Sequence, residues 1–196
     1  MNHLVDRRVA LRALGAFALA PLLGHAAATV LPGDSVYQLR ATLTDQDGRT
    51  LEWSTLRGSP VLASMFYSSC EMVCPLIFET LHVTLKALPV GERASVKLLL
   101  VSFDPERDTV ERLKKMARDH ACDSQWTLAR ADDAMARKIA AALGIQYRRL
   151  ASGEFNHSSV IELLDRDGRI AARSGQLGTA DPALVAPLHK LIAAHG

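Results

Sequence analysis

Two cysteines, Cys70 and Cys74, lie where an apolar stretch gives way to a helical pattern. Residues 61–67 are almost entirely apolar, which is typical of a buried central strand. Leucines at helical spacing over residues 76–88 indicate a helix, and Pro75 suits a first helical position because its missing N–H has no partner there. The pattern predicts a strand–loop–helix junction that brings both sulfur atoms to the start of a helix.

Strand and helix patterns alternate along the rest of the chain. Turn residues at 45–48 separate two strand-like stretches and turn residues at 165–168 separate two more, so each pair is predicted to form a hairpin. The alternation indicates an α/β domain with a mixed central sheet flanked by helices and an N-terminal β-hairpin. The predicted strands are residues 36–43, 50–53, 96–101, 125–128, 160–164 and 170–174, and the further predicted helices are residues 109–120, 132–143 and 182–195.

The first 28 residues have the pattern of an export signal. Arg7 and Arg8 precede an apolar run over residues 13–23, and three alanines at 26–28 offer a small-residue cleavage site. The arginine pair resembles the twin-arginine export motif. We expect a signal peptide over residues 1–28, a linker over 29–35 and one domain over 36–196 in the periplasm, with no permanent membrane anchor. An uncleaved anchor is the alternative, although the run is shorter than the ~20 apolar residues that a membrane span needs.

The charge of the chain excludes one class of partner. The formal net charge is +2, and removal of the first 28 residues takes away three arginines and one aspartate, which leaves a charge near zero. No basic field remains to attract nucleic acid. We therefore expect no nucleic-acid partner.

The cysteine pair has the chemistry of a soft metal site. The thiolate is the form that binds metal or attacks a disulfide, and a helix N-terminus favours it. Two thiolates suit Cu(I) and are too few for a closed tetrahedral zinc site. A redox-active disulfide between Cys70 and Cys74 is the alternative. Cys122 completes an odd count of three cysteines, which argues against a disulfide framework, and it is interpreted as a buried free thiol.

His157 is the candidate third ligand. It lies just before the predicted strand 160–164, at the strand start that faces the cysteine loop in a thioredoxin-like sheet. Thioredoxins place a cis-proline there, whereas this chain has no proline between Pro105 and Pro182. A histidine at this place favours metal binding over disulfide exchange. The histidines interpreted as ordinary residues of helical segments are His82, His120, His189 and His195.

Three motifs in this order resemble the SCO/SenC family. They are the cysteine string over residues 66–75, the loop over 101–109 and the His157 strand with its following turn. The resemblance covers residues 36–195. It implies a thioredoxin fold, copper held by Cys70, Cys74 and His157, and support from Asp104 behind the ligands.

The chain departs from the family pattern beside the ligands. Glu71 stands where the family often has proline, and Asn156 stands where it often has aspartate. Met72 carries a soft thioether that could contact copper transiently, although packing is the commoner role of such a residue.

The resemblance implies a metallochaperone. Such a protein would deliver copper to cytochrome c oxidase, or prepare its copper centre, with the copper-bearing subunit or another copper-handling protein as partner. A thiol-disulfide reductase that keeps a client's cysteines reduced is the second hypothesis, and it does not require His157. A peroxide-reducing thiol enzyme is a third, disfavoured because Cys70 lacks the Thr-x-x-Cys context of that class.

Overall fold

The apolar run after residue 60 forms an interior strand of a seven-stranded sheet, and this strand is the third in chain order. The computed structural model describes residues 30–194. In chain order its helices and strands are β1 Thr42–Asp45, β2 Thr50–Glu52, β3 Val61–Phe66, α1 Val73–Ala87, α2 Val90–Arg93, β4 Lys97–Ser102, α3 Val110–Asp119, β5 Trp126–Arg130, α4 Asp133–Ala142, β6 Tyr147–Arg149, β7 Phe155–His157, β8 Ile161–Leu164, β9 Ile170–Ser174 and α5 Pro182–Ala193.

The main sheet is mixed, as the sequence predicts. Its strand order is β2-β1-β5-β4-β3-β8-β9. The strands β3, β4 and β5 are parallel to one another, whereas β1 pairs with β5 and β8 pairs with β3 in antiparallel fashion. Every residue of β3 is buried, which explains why this strand reads as a continuous apolar run. The cysteine loop follows the end of this central strand.

Most predicted elements are confirmed with bounds that shift by a few residues. The hairpins β1–β2 and β8–β9 form around the predicted turns. Each turn is closed by an aspartate, Asp45 or Asp165, whose carboxylate accepts backbone N–H bonds from two and four residues ahead. Thr109 caps α3 by accepting the Arg112 N–H. Turn chemistry and helix caps are local, so the sequence predicts them well.

The prediction of a strand over residues 36–43 is wrong at its beginning. Val36–Gln38 forms a 3-10 turn, and the strand begins at Thr42. The Val36 N–H donates to the carbonyl of Gly168, and the Ser35 hydroxyl donates to the carbonyl of Asp167. These bonds tie the segment to the β8–β9 turn, and they replace the strand pairing that the alternating pattern indicates.

A second, two-stranded sheet was not predicted. Strand β6 pairs with β7 in antiparallel register, with Tyr147 opposite His157 and Arg149 opposite Phe155. Both strands have three residues and are partly exposed, so they lack an apolar run. His157, predicted to lie just before the strand 160–164, therefore ends a short strand of its own.

The predicted signal peptide over residues 1–28 lies outside the described residues, so that assignment stays a prediction. Thr29 of the predicted linker and His195 also lie outside them. Within residues 30–194, no helix combines the length and the apolar composition that crossing a bilayer requires.

Candidate metal centre

The loop that leads into the cysteines is held by a buried carboxylate. The Ser68 N–H donates to Asp108 at 3.1 Å, and the hydroxyl of Ser68 donates to the same carboxylate. Asp108 also accepts the hydroxyl of Ser102 at the end of β4. Burial raises the pKa of Asp108, and the hydrogen bonds from both serines oppose that shift. Asp108 thus joins the ends of β3 and β4 directly beneath the cysteine loop.

The sulfur of Cys70 accepts a hydrogen bond from a backbone N–H in the first turn of helix α1. The N-cap residue Met72 makes no side-chain cap. The Cys74 N–H instead donates to the Cys70 sulfur at 3.3 Å, so a sulfur atom occupies the place of a capping oxygen. Pro75, predicted as the first helical residue, is the third, because the helix begins at Val73. Both cysteines therefore lie at the positive end of the helix dipole.

The two thiols differ in acidity. A hydrogen bond from the Cys74 thiol, followed by backbone N–H bonds, lowers the pKa of Cys70 to about 4. The same hydrogen bond and burial raise the pKa of Cys74. Cys74 is fully buried, with 0% of its surface exposed, whereas Cys70 is half-buried. These opposite shifts of the two pKa values favour the thiolate form of the half-buried Cys70 and the thiol form of the buried Cys74.

His157 is positioned by aromatic packing and by its own backbone. Its ring lies 5.9 Å from the ring of Tyr67 and 5.0 Å from that of Phe103, measured between centroids. Its Nδ1 lies 3.3 Å from the carbonyl of Ser158. A proton on Nδ1 satisfies that contact and leaves the Nε2 lone pair available to a metal.

The three sequence-predicted ligands come together. One ligand atom from each of Cys70, Cys74 and His157 lies within 4.8 Å of the other two. Among residues 30–194 this is the one group of three or more histidine, cysteine or acidic side chains that meets this distance. The set opens into a cleft of about 570 Å³. Two sulfurs and one imidazole fit a soft, low-coordinate metal ion and leave room for an incoming ligand.

Asp104, predicted to support the ligands, is linked through Arg107 to the hairpin that carries His157. Its carboxylate, which is buried, pairs with Arg107. Arg107 in turn donates to the carbonyl of Gly153 at 2.6 Å. Gly153 lies in the turn between β6 and β7, so this chain of contacts fixes the hairpin. Next to Gly153, Glu154 accepts a hydrogen bond of 2.7 Å from the hydroxyl of Tyr67.

Sequence reasoning missed the role of Asp108. The sequence contains an indication of that role, since Asp108 belongs to the same loop motif as Asp104. The sequence does not reveal which of the two carboxylates turns toward the cysteine loop.

The other thiol and histidines of residues 30–194 lie apart from the candidate metal centre. Cys122 is a free, half-buried thiol, and burial raises its pKa to about 12. His82 contacts the carbonyl of His120, and the ring of His120 stacks on Phe78. His189 pairs with Glu92. These contacts agree with their interpretation as ordinary residues.

The family model and a curated relative that match this chain both carry SCO1 descriptions. The family model described as SCO1/SenC matches residues 33–193. Over 80 residues the chain is 34% identical to the SCO1 protein homolog of Bacillus subtilis (strain 168), a match that covers 40% of this chain and 40% of that relative. The match thus spans less than half of that relative's length.

Two solved structures share the fold. Arabidopsis thaliana ScoI with copper bound has a TM-score of 0.69 at 18% identity, over 79% of this chain and 97% of that chain. The second structure is BsSco, described as a member of the Sco family of cytochrome c oxidase assembly proteins, and a disulfide switch was identified in it. Its TM-score is 0.64 at 22% identity, over 78% of this chain and 90% of that chain. The predicted thioredoxin-like fold is confirmed.

Proposed function

The chain belongs to the SCO1/SenC family, and on that premise we propose that it is a copper metallochaperone that binds Cu(I) through Cys70, Cys74 and His157. The observation that carries the proposal is the approach of the three ligand atoms to within 4.8 Å of one another. Copper is the cargo of such a protein. The ScoI structure of Arabidopsis thaliana, which has copper bound, supports the choice of metal.

The chain's own residues divide the work of holding the metal. Cys70 offers a thiolate at the mouth of the cleft, and Cys74 offers a buried sulfur that loses its proton when metal binds. His157 supplies the third ligand from a separate hairpin. Three ligands leave a direction open for a client's ligand, and this suits transfer by ligand exchange.

The proposed destination is the copper centre of cytochrome c oxidase, either directly or through another copper-handling protein. The description of BsSco as a member of a family of oxidase assembly proteins supports this choice. We further propose that the chain acts in the periplasm after loss of residues 1–28. Amino-terminal sequencing of the protein from its native host should find Thr29 at or near the start, and a full-length chain retained in the membrane would contradict this location.

A copper titration under reducing, anaerobic conditions tests the proposal. The mature domain should bind one copper ion per monomer. Cys70→Ala and Cys74→Ala should each abolish tight binding, and the control Cys122→Ser should bind as the parent does. Tight binding that survives in either of the first two variants would remove the assignment.

A second candidate function is thiol-disulfide reduction, and the unequal acidity of the two cysteines favours it. A low-pKa, accessible Cys70 is suited to attack a client disulfide, and the adjacent Cys74 is suited to resolve the mixed disulfide. His157→Ala separates the functions. Copper affinity should fall by at least ~10–100-fold while exchange with a small disulfide continues. Oxidase assembly that tolerates this variant, and fails only with the cysteine variants, would favour the reductase.

A further inference from the structure

Met72 is exposed in a way that packing does not explain. The residue is 80% exposed to solvent. The other methionines among residues 30–194 contact the core: Met65 is buried, and Met116 and Met135 are partly buried against it. Met72 is also the N-cap residue of α1, a position where serine, threonine or aspartate commonly caps the helix, and it makes no such bond. The site therefore keeps a flexible apolar side chain in water beside two metal ligands.

The location of Met72 links it to the path of the metal. It lines the cleft together with Cys70 and His157, and its backbone N–H points toward the Cys70 sulfur. Cys74 lies at the closed end of the arrangement, where it is fully buried. Met72 therefore lies on the wall of the cleft that Cys70 and His157 also line, and it is highly exposed whereas Cys74 is buried.

The chemistry of a thioether suits a short-lived role. Methionine sulfur is a soft donor that binds Cu(I), and it is neutral, so it competes poorly with thiolate. We propose that Met72 is a transient copper ligand, which receives Cu(I) from a donor, passes it to the cysteine pair, and acts in the reverse order during delivery. This inference rests on the copper binding proposed above.

Each step is a ligand exchange that leaves copper in the Cu(I) state. A bond from the Met72 sulfur to copper forms while the donor still holds the ion. The Cys70 thiolate then displaces the donor. Cys74 binds as its thiol proton passes to water, and His157 completes the set as the bond to Met72 breaks. No electron is transferred, so no oxidant or reductant is needed.

Stopped-flow exchange with the Cu(I) bicinchoninate complex tests the role. Met72→Leu keeps the apolar bulk, and Met72→Gln keeps the length; both remove the sulfur. We expect the rates of copper uptake and of copper release to fall together, by about tenfold, in both variants. Because a ligand of the transfer step alone changes the barrier and not its end points, the ratio of the two rates should stay the same. Met135→Leu is the matched control, since it removes a methionine that lies outside the cleft, and it should exchange as the parent does.

The outcomes separate this inference from the proposed function. If the parent protein binds no Cu(I), the proposed function and the inference both fail. If the parent binds copper and both Met72 variants exchange at its rates, the inference alone fails. A loss of equilibrium affinity equal to the loss of uptake rate, with release unchanged or faster, would make Met72 a resting ligand and would also overturn the inference.

Discussion

Cys70 and Cys74 carry the same side chain, but the fold gives them opposite acidity. Cys70 accepts hydrogen bonds at a helix N-terminus, whereas Cys74 donates one and is enclosed by the core. The sequence predicts the first effect from the position of the pair before a helix. It does not predict the second, because the burial of Cys74 depends on how α1 packs against the rest of the core.

The reactivity of Cys70 should therefore persist into acid. With its pKa lowered to about 4, Cys70 is a thiolate throughout the range from pH 8 to pH 5, and it gains a proton only as the pH falls through about 4. In a Cys122→Ser background, the rate of alkylation by iodoacetamide should be nearly flat over that range. A rate that rises tenfold with each pH unit there would contradict the lowered pKa.

Removal of the hydrogen-bond donor provides the control. Cys74→Ala in the same background takes away the largest cause of the low pKa of Cys70. The alkylation profile should move to higher pH, and mass spectrometry should place the label on Cys70 in both proteins. Identical profiles would assign the acidity to the helix N-terminus alone.

At the scale of elements, the centre joins two structures of different kinds. The junction between β3, a strand of the main sheet, and α1 supplies both sulfurs. The β6–β7 hairpin, which forms a separate sheet, supplies His157. The hairpin is fastened at its turn by the Arg107 bond to Gly153 and by the Tyr67 bond to Glu154. The position of His157, the proposed third ligand, thus depends on contacts outside the proposed ligand set.

Arg107→Met should weaken copper binding without altering the thiols. The variant removes the guanidinium that bridges Asp104 and Gly153, so His157 loses part of its positioning. Such losses typically cost ~10–100-fold in metal affinity. Competition with a Cu(I) chelator measures the affinity, and the alkylation profile of Cys70 should match that of the parent.

Arg149→Met is the matched control for that experiment. Arg149 and Arg107 each lie 5.9 Å from the centre of the Phe155 ring, but Arg149 pairs with the exposed Glu106, a contact of small energetic value. Its copper affinity should remain close to that of the parent. Equal losses in the two variants would assign the effect to the Phe155 ring and not to the bond with Gly153.

The elements that the sequence predicts are those whose signals are local and strong. The apolar runs of β3 and β4 and the aspartate–glycine turns of the two main hairpins are of this kind. Strands β6 and β7 escaped prediction because each is three residues long and neither is mostly buried. His157 was nevertheless predicted to lie near the cysteines, because its place in the chain order and the family resemblance indicate it without any knowledge of the hairpin, and the structure brings it to them.

For the whole molecule, copper should act as a link that stabilises the fold. A ligand that binds the folded state contributes about 2.7 kcal/mol when its free concentration is 100 times its dissociation constant. For a domain of this size that corresponds to a rise of roughly 5–10 °C in the unfolding temperature. Differential scanning calorimetry of the apo and Cu(I)-loaded protein measures the shift.

Two variants show whether the rise in unfolding temperature comes from copper bound at the proposed site. Cys122→Ser should keep the full rise, because Cys122 lies outside the centre. Cys70→Ala should lose most of it. A rise that is equal in both variants would mean that copper binds elsewhere on the molecule.

The separate two-stranded sheet has a consequence for amide hydrogen exchange. Within the described residues, β6 and β7 pair with each other and not with the seven-stranded sheet, so this hairpin can unfold locally while the sheet stays intact. Its amides then exchange through local opening, whereas those of β3 and β4 exchange through global unfolding. Because His157 belongs to the hairpin, a bound metal ion must be released, or lose one ligand, each time the hairpin opens. The exchange rate of a few amides near residue 157 thus reports the occupancy of the centre.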